Sequence, residues 1–194
     1  APALVAVSVM NSSFFETTYS SFVRMYYQKT FDAIMAAPIS VQEVITGEIV
    51  WGATRSVMTM MVMVGVLSCF GLVPWPEALW IIPASVLGGF AFAAIGMMFT
   101  GIIPNIDLFN LPVFLFITPM FLFGGTFFSV DSLPGWAQWF AQALPLTHLV
   151  NICREICCGS VASISVVAGV IYLVIFSAIF YPLALFTMRR RLIK

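Results

Sequence analysis

Charge is what this sequence has least of. Asp, Glu, Lys and Arg together make up 8% of its 194 residues, where a water-facing domain carries about 25% because its surface must be solvated. A soluble globule is excluded. The basic and acidic residues balance, eight against eight, so no excess of positive charge points to nucleic acid. Histidine occurs once, at His148, and the four cysteines form no C-x-x-C pair. Zinc chemistry therefore lacks its usual ligand spacing. G-x-x-x-x-G-K-[ST] is absent, so these residues hold no loop to cradle ATP. H-E-x-x-H and G-x-S-x-G are absent too, and with them the common hydrolase signatures.

Apolar length is abundant: 61% of the residues are hydrophobic and the mean hydropathy is +1.05. The runs approach or exceed the ~20 residues that cross hydrocarbon, and they lack the alternation of a barrel strand. The expected fold is an all-α polytopic membrane bundle with about five spanning segments. Residues 1–21 read as the end of a truncated span, 45–73, 78–103 and 108–128 as spans, and 161–188 as the last span. Residues 189–194 form a basic tail. Residues 129–160 hold two helix-like pieces split by Pro145, each too short to cross. They read as a re-entrant or interfacial pair on the outer side, with Trp136, Trp139 and Phe140 at the depth where aromatic rings settle. Basic residues place the 22–40 loop and the C-terminus together on the cytoplasmic side.

Residues 22–40 are the most polar internal stretch. Tyr27, Phe31 and Ile34 fall on one helical face, and Arg24, Gln28 and Asp32 on another. One amphipathic helix ending at Pro38 is expected. It reads either as an interfacial helix on the leaflet or as a docking element for a cytoplasmic partner. In the first segment Ser8, Ser12, Glu16 and Ser20 recur every fourth residue, with Asn11 beside them. Close helix packing and the lining of a path both fit that stripe; an ionisable group such as Glu16 marks a functional candidate. Glu48 and Arg55 share a face, Arg55 either snorkelling to the interface or joining a charge network with Glu16 or Asp107. Pro112, Pro119 and Gly124-Gly125 suit a gate or plain packing.

Several motifs carry a resemblance. YYQKTFDAIMAAPIS (26–40) with VQEVITGEIVWGATRS (41–56), FETTYSSFVRM (15–25), ITPMFLFGGTFFSVDSLP (117–134), LPLTHLV (144–150) and the Arg189-Arg190-Arg191 ending stand in the order found in ABC-2 type exporter permeases. The sequence resembles the nodulation protein J-like subgroup of that family. The family's N-terminal helix and first span have no counterpart in it. The resemblance implies a transport subunit of the bacterial inner membrane, with its C-terminus cytoplasmic and no enzymatic role of its own. It implies a homodimer in the lipid bilayer, partnered by an ABC ATPase subunit that binds ATP and Mg. It implies no nucleic acid, no metal and no cofactor in this chain. The ATPase-coupling set is then Arg24, Tyr27, Gln28, Lys29, Phe31, Asp32 and Pro38. The candidate path is Asn11, Ser12, Glu16 and Arg55, and the candidate outer gate Gly124, Gly125, Trp136 and His148. The implied cargo is an amphiphile, such as a lipo-oligosaccharide, a glycolipid or polysaccharide, or a hydrophobic drug. The alternative is an intramembrane enzyme or passive channel with no ATPase.

Overall fold

The computed structural model describes residues 2–71, 77–127, 130, 134–157 and 163–192. The side chains of Asp32, Met35, Glu77 and Ala78 lie outside this description. So do the expected connection around Pro74–Pro76, most of 128–133, Cys158 to Ala162, and the tail beyond Leu192.

The first helix runs unbroken from residue 2 to residue 26. It consists of α1 (Pro2–Phe15), a π-helical stretch (Glu16–Ser20) and α2 (Ser21–Tyr26). After a short α3 (Thr30–Met35) come two long helices, α4 (Val41–Cys69) and α5 (Ile81–Ile102). The next helical column joins a 3-10 turn (Ile106–Phe109), α6 (Asn110–Pro112), a π-helical stretch (Val113–Ile117) and α7 (Thr118–Phe123). Pro112 and Pro119 flank that second π stretch, where each missing N–H interrupts the regular ladder. Two short helices follow, α8 (Gly135–Gln142) and α9 (Pro145–Cys157), and then α10 (Ile164–Leu192).

Four of these columns are long and apolar enough to cross a membrane: Val41–Cys69, Ile81–Ile102, Ile106–Phe123 and Ile164–Leu192. The first helix falls outside that set because Asn11, Ser12, Ser13, Glu16, Thr17 and Thr18 dilute its apolar length. It is nonetheless packed inside the bundle, with Val5, Ala6, Met10 and Phe14 buried. α5 is the hub, touching α1, α4, α9 and α10.

Small residues on α5 make these approaches possible. A Cβ on Gly96 would collide with Thr17 Oγ1 and lie 3.0 Å from the Phe14 carbonyl oxygen. One on Gly101 would sit 2.9 Å from the Met188 nitrogen of α10. With no hydrophobic drive between helices in lipid, such close backbone contact is what holds them together. Polar contacts add to it. Ser13 Oγ donates to the Gly89 carbonyl at 2.5 Å. In the π stretch the Ser21 N–H bonds Glu16 and Thr18, which leaves the Thr17 carbonyl to accept from Thr100 Oγ1 at 2.8 Å. A π-bulge thus supplies an acceptor where α5 needs one. Gly96→Val is expected to lower stability in micelles by about 2–3 kcal/mol through overpacking. Gly65→Val, at a position with nothing within 4 Å, is the matched control and stays near wild type.

α9 has 13 residues, about 20 Å, and cannot cross alone. It dips into the bundle, with Leu146, Leu149, Ile152 and Cys153 buried and Leu149 filling the space over Gly88.

The expectation of one amphipathic helix over 22–40 is corrected. Tyr27 and Gln28 N–H groups both bond the Val23 carbonyl, and Lys29 has φ +51°, which closes α2 in a left-handed cap. The chain then turns so that Phe31, fully buried, packs with Phe22, Met25 and Ile45. Arg24 therefore belongs to the upstream helix and does not share a face with Gln28 and Asp32. α4 restarts from a capping box. Ser40 N–H donates to Glu43 Oε2 at 2.7 Å, and Glu43 N–H returns a bond to Ser40 Oγ at 3.3 Å.

Candidate functional site: a charged knot beside a polar groove

The π stretch points Glu16 toward α4, on which Glu48, Trp51 and Arg55 share one face. Glu16 Oε1 accepts from Arg24 and from Trp51 Nε1, both at 3.0 Å. Glu16 Oε2 accepts from Ser20 at 3.3 Å and stands 3.7 Å from Arg55. Arg24 reaches across to Glu48 Oε2 at 2.6 Å, which also accepts from Ser21 Oγ at 2.5 Å. Two carboxylates and two guanidinium groups balance. Arg24 is the bridge, since among the described residues it alone contacts both carboxylates. Such charge-assisted bonds are the strong ones, and here they fasten the first helix to α4.

Beside the knot lies an open groove of about 600 Å³. Asn11, Ser12, Glu16 and Arg55 all line it, with Phe15 and Thr59. Ser12 Oγ and Thr59 Oγ1 are hydrogen-bonded at 2.9 Å. The four candidate path residues are thus brought together. The stripe members Ser8, Ser12, Glu16 and Ser20 line the groove, while Ser13 and Ser21, off the stripe, bind neighbouring helices. Arg55 is more than half exposed and also within ion-pair distance of Glu16.

The coupling set is divided. Tyr27, Gln28 and Lys29 are exposed at the turn, Pro38 is exposed before α4, and Phe31 is buried beneath them. Arg24 is withdrawn into the knot, and the Asp32 side chain lies outside the described residues. The gate candidates are also divided. Gly124 packs on Leu146 of α9, Gly125 has φ +71° and its carbonyl accepts from Arg154. Trp136 lies edge-on to Phe123. His148 turns instead to α10, its ring stacked on Tyr172 with centroids 3.9 Å apart. Its Nε2 donates to the Gln142 carbonyl at 2.9 Å. Among the described residues no three His, Cys, Asp or Glu side chains gather as metal ligands.

Sequence reasoning missed Arg24 as the bridge and Trp51 and Arg154 altogether. The signal for Arg24 was present: it is the next member of the 8, 12, 16, 20 series. For Trp51, one turn from Glu48 and from Arg55, the spacing was equally available.

The model of the family described as ABC-2 type transporter matches residues 1–158. Nodulation protein J of Rhizobium meliloti (strain 1021) is 35% identical over 157 residues, covering 81% of this chain and 60% of that protein. Nodulation protein J of Rhizobium leguminosarum bv. trifolii is 34% identical over 195 residues, covering 100% of this chain and 74% of that protein. The inner membrane transport permease YadH of Escherichia coli (strain K12) is 25% identical over 154 residues, 77% of this chain and 58% of that protein. The chain thus spans 60% of the length of the first of these relatives. No solved structure matches.

Proposed function

The chain belongs to the ABC-2 type transporter family of membrane proteins, and from that premise we propose that it is the permease subunit of an ATP-driven exporter of amphiphiles in the bacterial inner membrane. The observation that carries this reading is the polar groove of Asn11, Ser12 and Arg55 on the outside of an otherwise apolar bundle. Hydrocarbon cannot satisfy such groups, so the groove faces protein and water. A second copy of the chain supplies that surface, and a path forms between the two grooves. Hydroxyl and amide groups beside Phe15 offer hydrogen bonds to a sugar-like head and an apolar wall for its chain. Lipo-oligosaccharides and glycolipids have that chemistry.

On this reading the energy arrives from another chain, and the 194 residues hold no phosphate loop of their own. A separate ATPase, binding ATP and Mg, engages the exposed Tyr27–Lys29 turn and the stretch to Pro38, on a cytoplasmic face shared with the C-terminus. The Arg24 bridge makes the first helix and α4 move as one body when that turn is pushed. Inward-open and outward-open arrangements then differ in contacts, which any such switch requires. The test is made in a cysteine-free background. Asn11→Cys should cross-link between copies in membranes, and Ser12→Trp should abolish export of a labelled lipo-oligosaccharide while the ATPase still binds. Absence of any cross-linked dimer, together with full export by Ser12→Trp, would sink the proposal.

A further inference from the structure

The ends of α2, α5 and α10 meet in a basic pocket that has no part in the proposed path. Arg191 is its fixed element. Its guanidinium donates to the Thr100 carbonyl, to the Ile103 carbonyl at 2.5 Å and to the Tyr26 hydroxyl at 2.9 Å. It lies 5.0 Å from the Tyr26 ring centroid. Every one of these acceptors is neutral. Among the described residues no carboxylate pairs with Arg189, Arg190 or Arg191, all three ion pairs lying in the Glu16–Glu48 knot. Beside Arg191 opens a cavity of about 420 Å³, lined by Arg190, Thr187, Tyr26 and Phe186. Asp107 lines a neighbouring depression that shares Tyr26 and Pro104 but neither arginine.

The cavity continues into a second one. Ile102 and Pro104 are common walls with an adjoining groove of about 300 Å³, otherwise formed by apolar side chains such as Phe99, Leu108, Leu111 and Leu115. Leu111 and Leu115 are 62% and 82% exposed on the face of a membrane-crossing column. A positively charged pocket at the end of the spans, running into an apolar channel on their flank, has the shape of a two-part ligand. Basic pockets between helices at a membrane surface bind lipid head groups.

We propose that this site holds one anionic phospholipid of the surrounding bilayer. Its phosphate sits between Arg190 and Arg191, and an acyl chain lies along the Leu108–Leu115 groove. Arg191 contributes a charge already fixed in place by the Thr100 and Ile103 carbonyls at the end of α5. Arg190, exposed and without an acidic partner, closes on the phosphate. The groove supplies what a soluble phosphate has no use for, and so selects the lipid. The occupant staples α5, α10 and the α6–α7 column at one end of the bundle.

The test uses the purified chain in neutral maltoside micelles, with phosphatidylglycerol or phosphatidylcholine added and retained lipid counted by native mass spectrometry. Phosphatidylglycerol should be retained in preference. Arg190→Gln should weaken its retention about fivefold, the worth of one basic side chain at an anionic surface. Arg189→Gln, whose side chain lines neither cavity, should leave it unchanged. Equal losses in both variants would mean diffuse surface attraction and overturn the site, as would no loss in either. Competition by glycerol phosphate as effective as that by the lipid would assign the pocket to a soluble phosphate and overturn the lipid. No lipid preference, with reduced capture of the ATPase by Arg190→Gln, would assign it to an acidic protein surface instead.

Discussion

Arg24→Met should lower the stability of the chain in micelles by about 3 kcal/mol, the cost of leaving buried charge without its partner. Its removal leaves Glu16 and Glu48, with side chains only 7% and 14% exposed, facing across the helix boundary. Arg55 cannot take over. Its nearest approach is 3.7 Å, to Glu16 alone, and its side chain is 55% exposed. Trp51 and Ser21 can donate hydrogen bonds, but they bring no charge. The loss is therefore largely repulsion and desolvation, and it should be recovered by neutralising what remains. The triple variant Arg24→Met, Glu16→Gln, Glu48→Gln should regain most of the stability, a strong coupling of the kind seen within one network. Arg24→Lys should fall between, because one ammonium cannot present a separate edge to each carboxylate. Thermal unfolding of the four proteins decides it. Wild-type behaviour of Arg24→Met would show that the knot does not hold the two helices together.

How much of this could be read from the sequence depends on the range of the interactions. Lengths of apolar run are local, and they gave α4, α5 and α10 within a few residues. The break at Pro145 is local too, and the structure has α8 and α9 on either side of it. The turn at Lys29 was not legible, because a lysine at positive φ leaves no glycine or asparagine to mark it. The i, i+4 spacing of Tyr27 and Phe31 fitted a helix, yet one ring is 68% exposed and the other fully buried. What decides between them is the buried cluster that Phe31 joins, which draws Ile45 and Ile49 from the next helix. The π stretch at Glu16–Ser20 is harder still. Its released carbonyl is rewarded by Thr100, 83 positions away, and no local pattern carries that information. The knot sits between these extremes. Its members lie at helical spacings on the π stretch, α2 and α4, so the faces were readable, but the facing of the two helices was not.

The turn itself yields the second large effect, since burial and exposure within it separate holding the turn from touching a partner. Phe31→Ala should destabilise the chain by about 3 kcal/mol, the usual scale for removing a fully buried aromatic ring, because its ring belongs to the buried cluster that includes Phe22, Met25 and Ile45. Tyr27→Ser with Lys29→Asn should change stability by less than about 0.5 kcal/mol, as exposed substitutions do. Asparagine tolerates the left-handed backbone that Lys29 adopts, so the turn keeps its shape. On this reading the double variant nonetheless loses export and the stimulation of the partner ATPase, because it alters the surface that the ATPase meets. Phe31→Ala loses both only to the extent that the turn unfolds, and a lower temperature should restore them. Unfolding curves of the isolated chain and ATP hydrolysis by the assembled complex separate the two. If the folded double variant stimulates ATP hydrolysis like wild type, the proposed coupling through Tyr27–Lys29 is wrong.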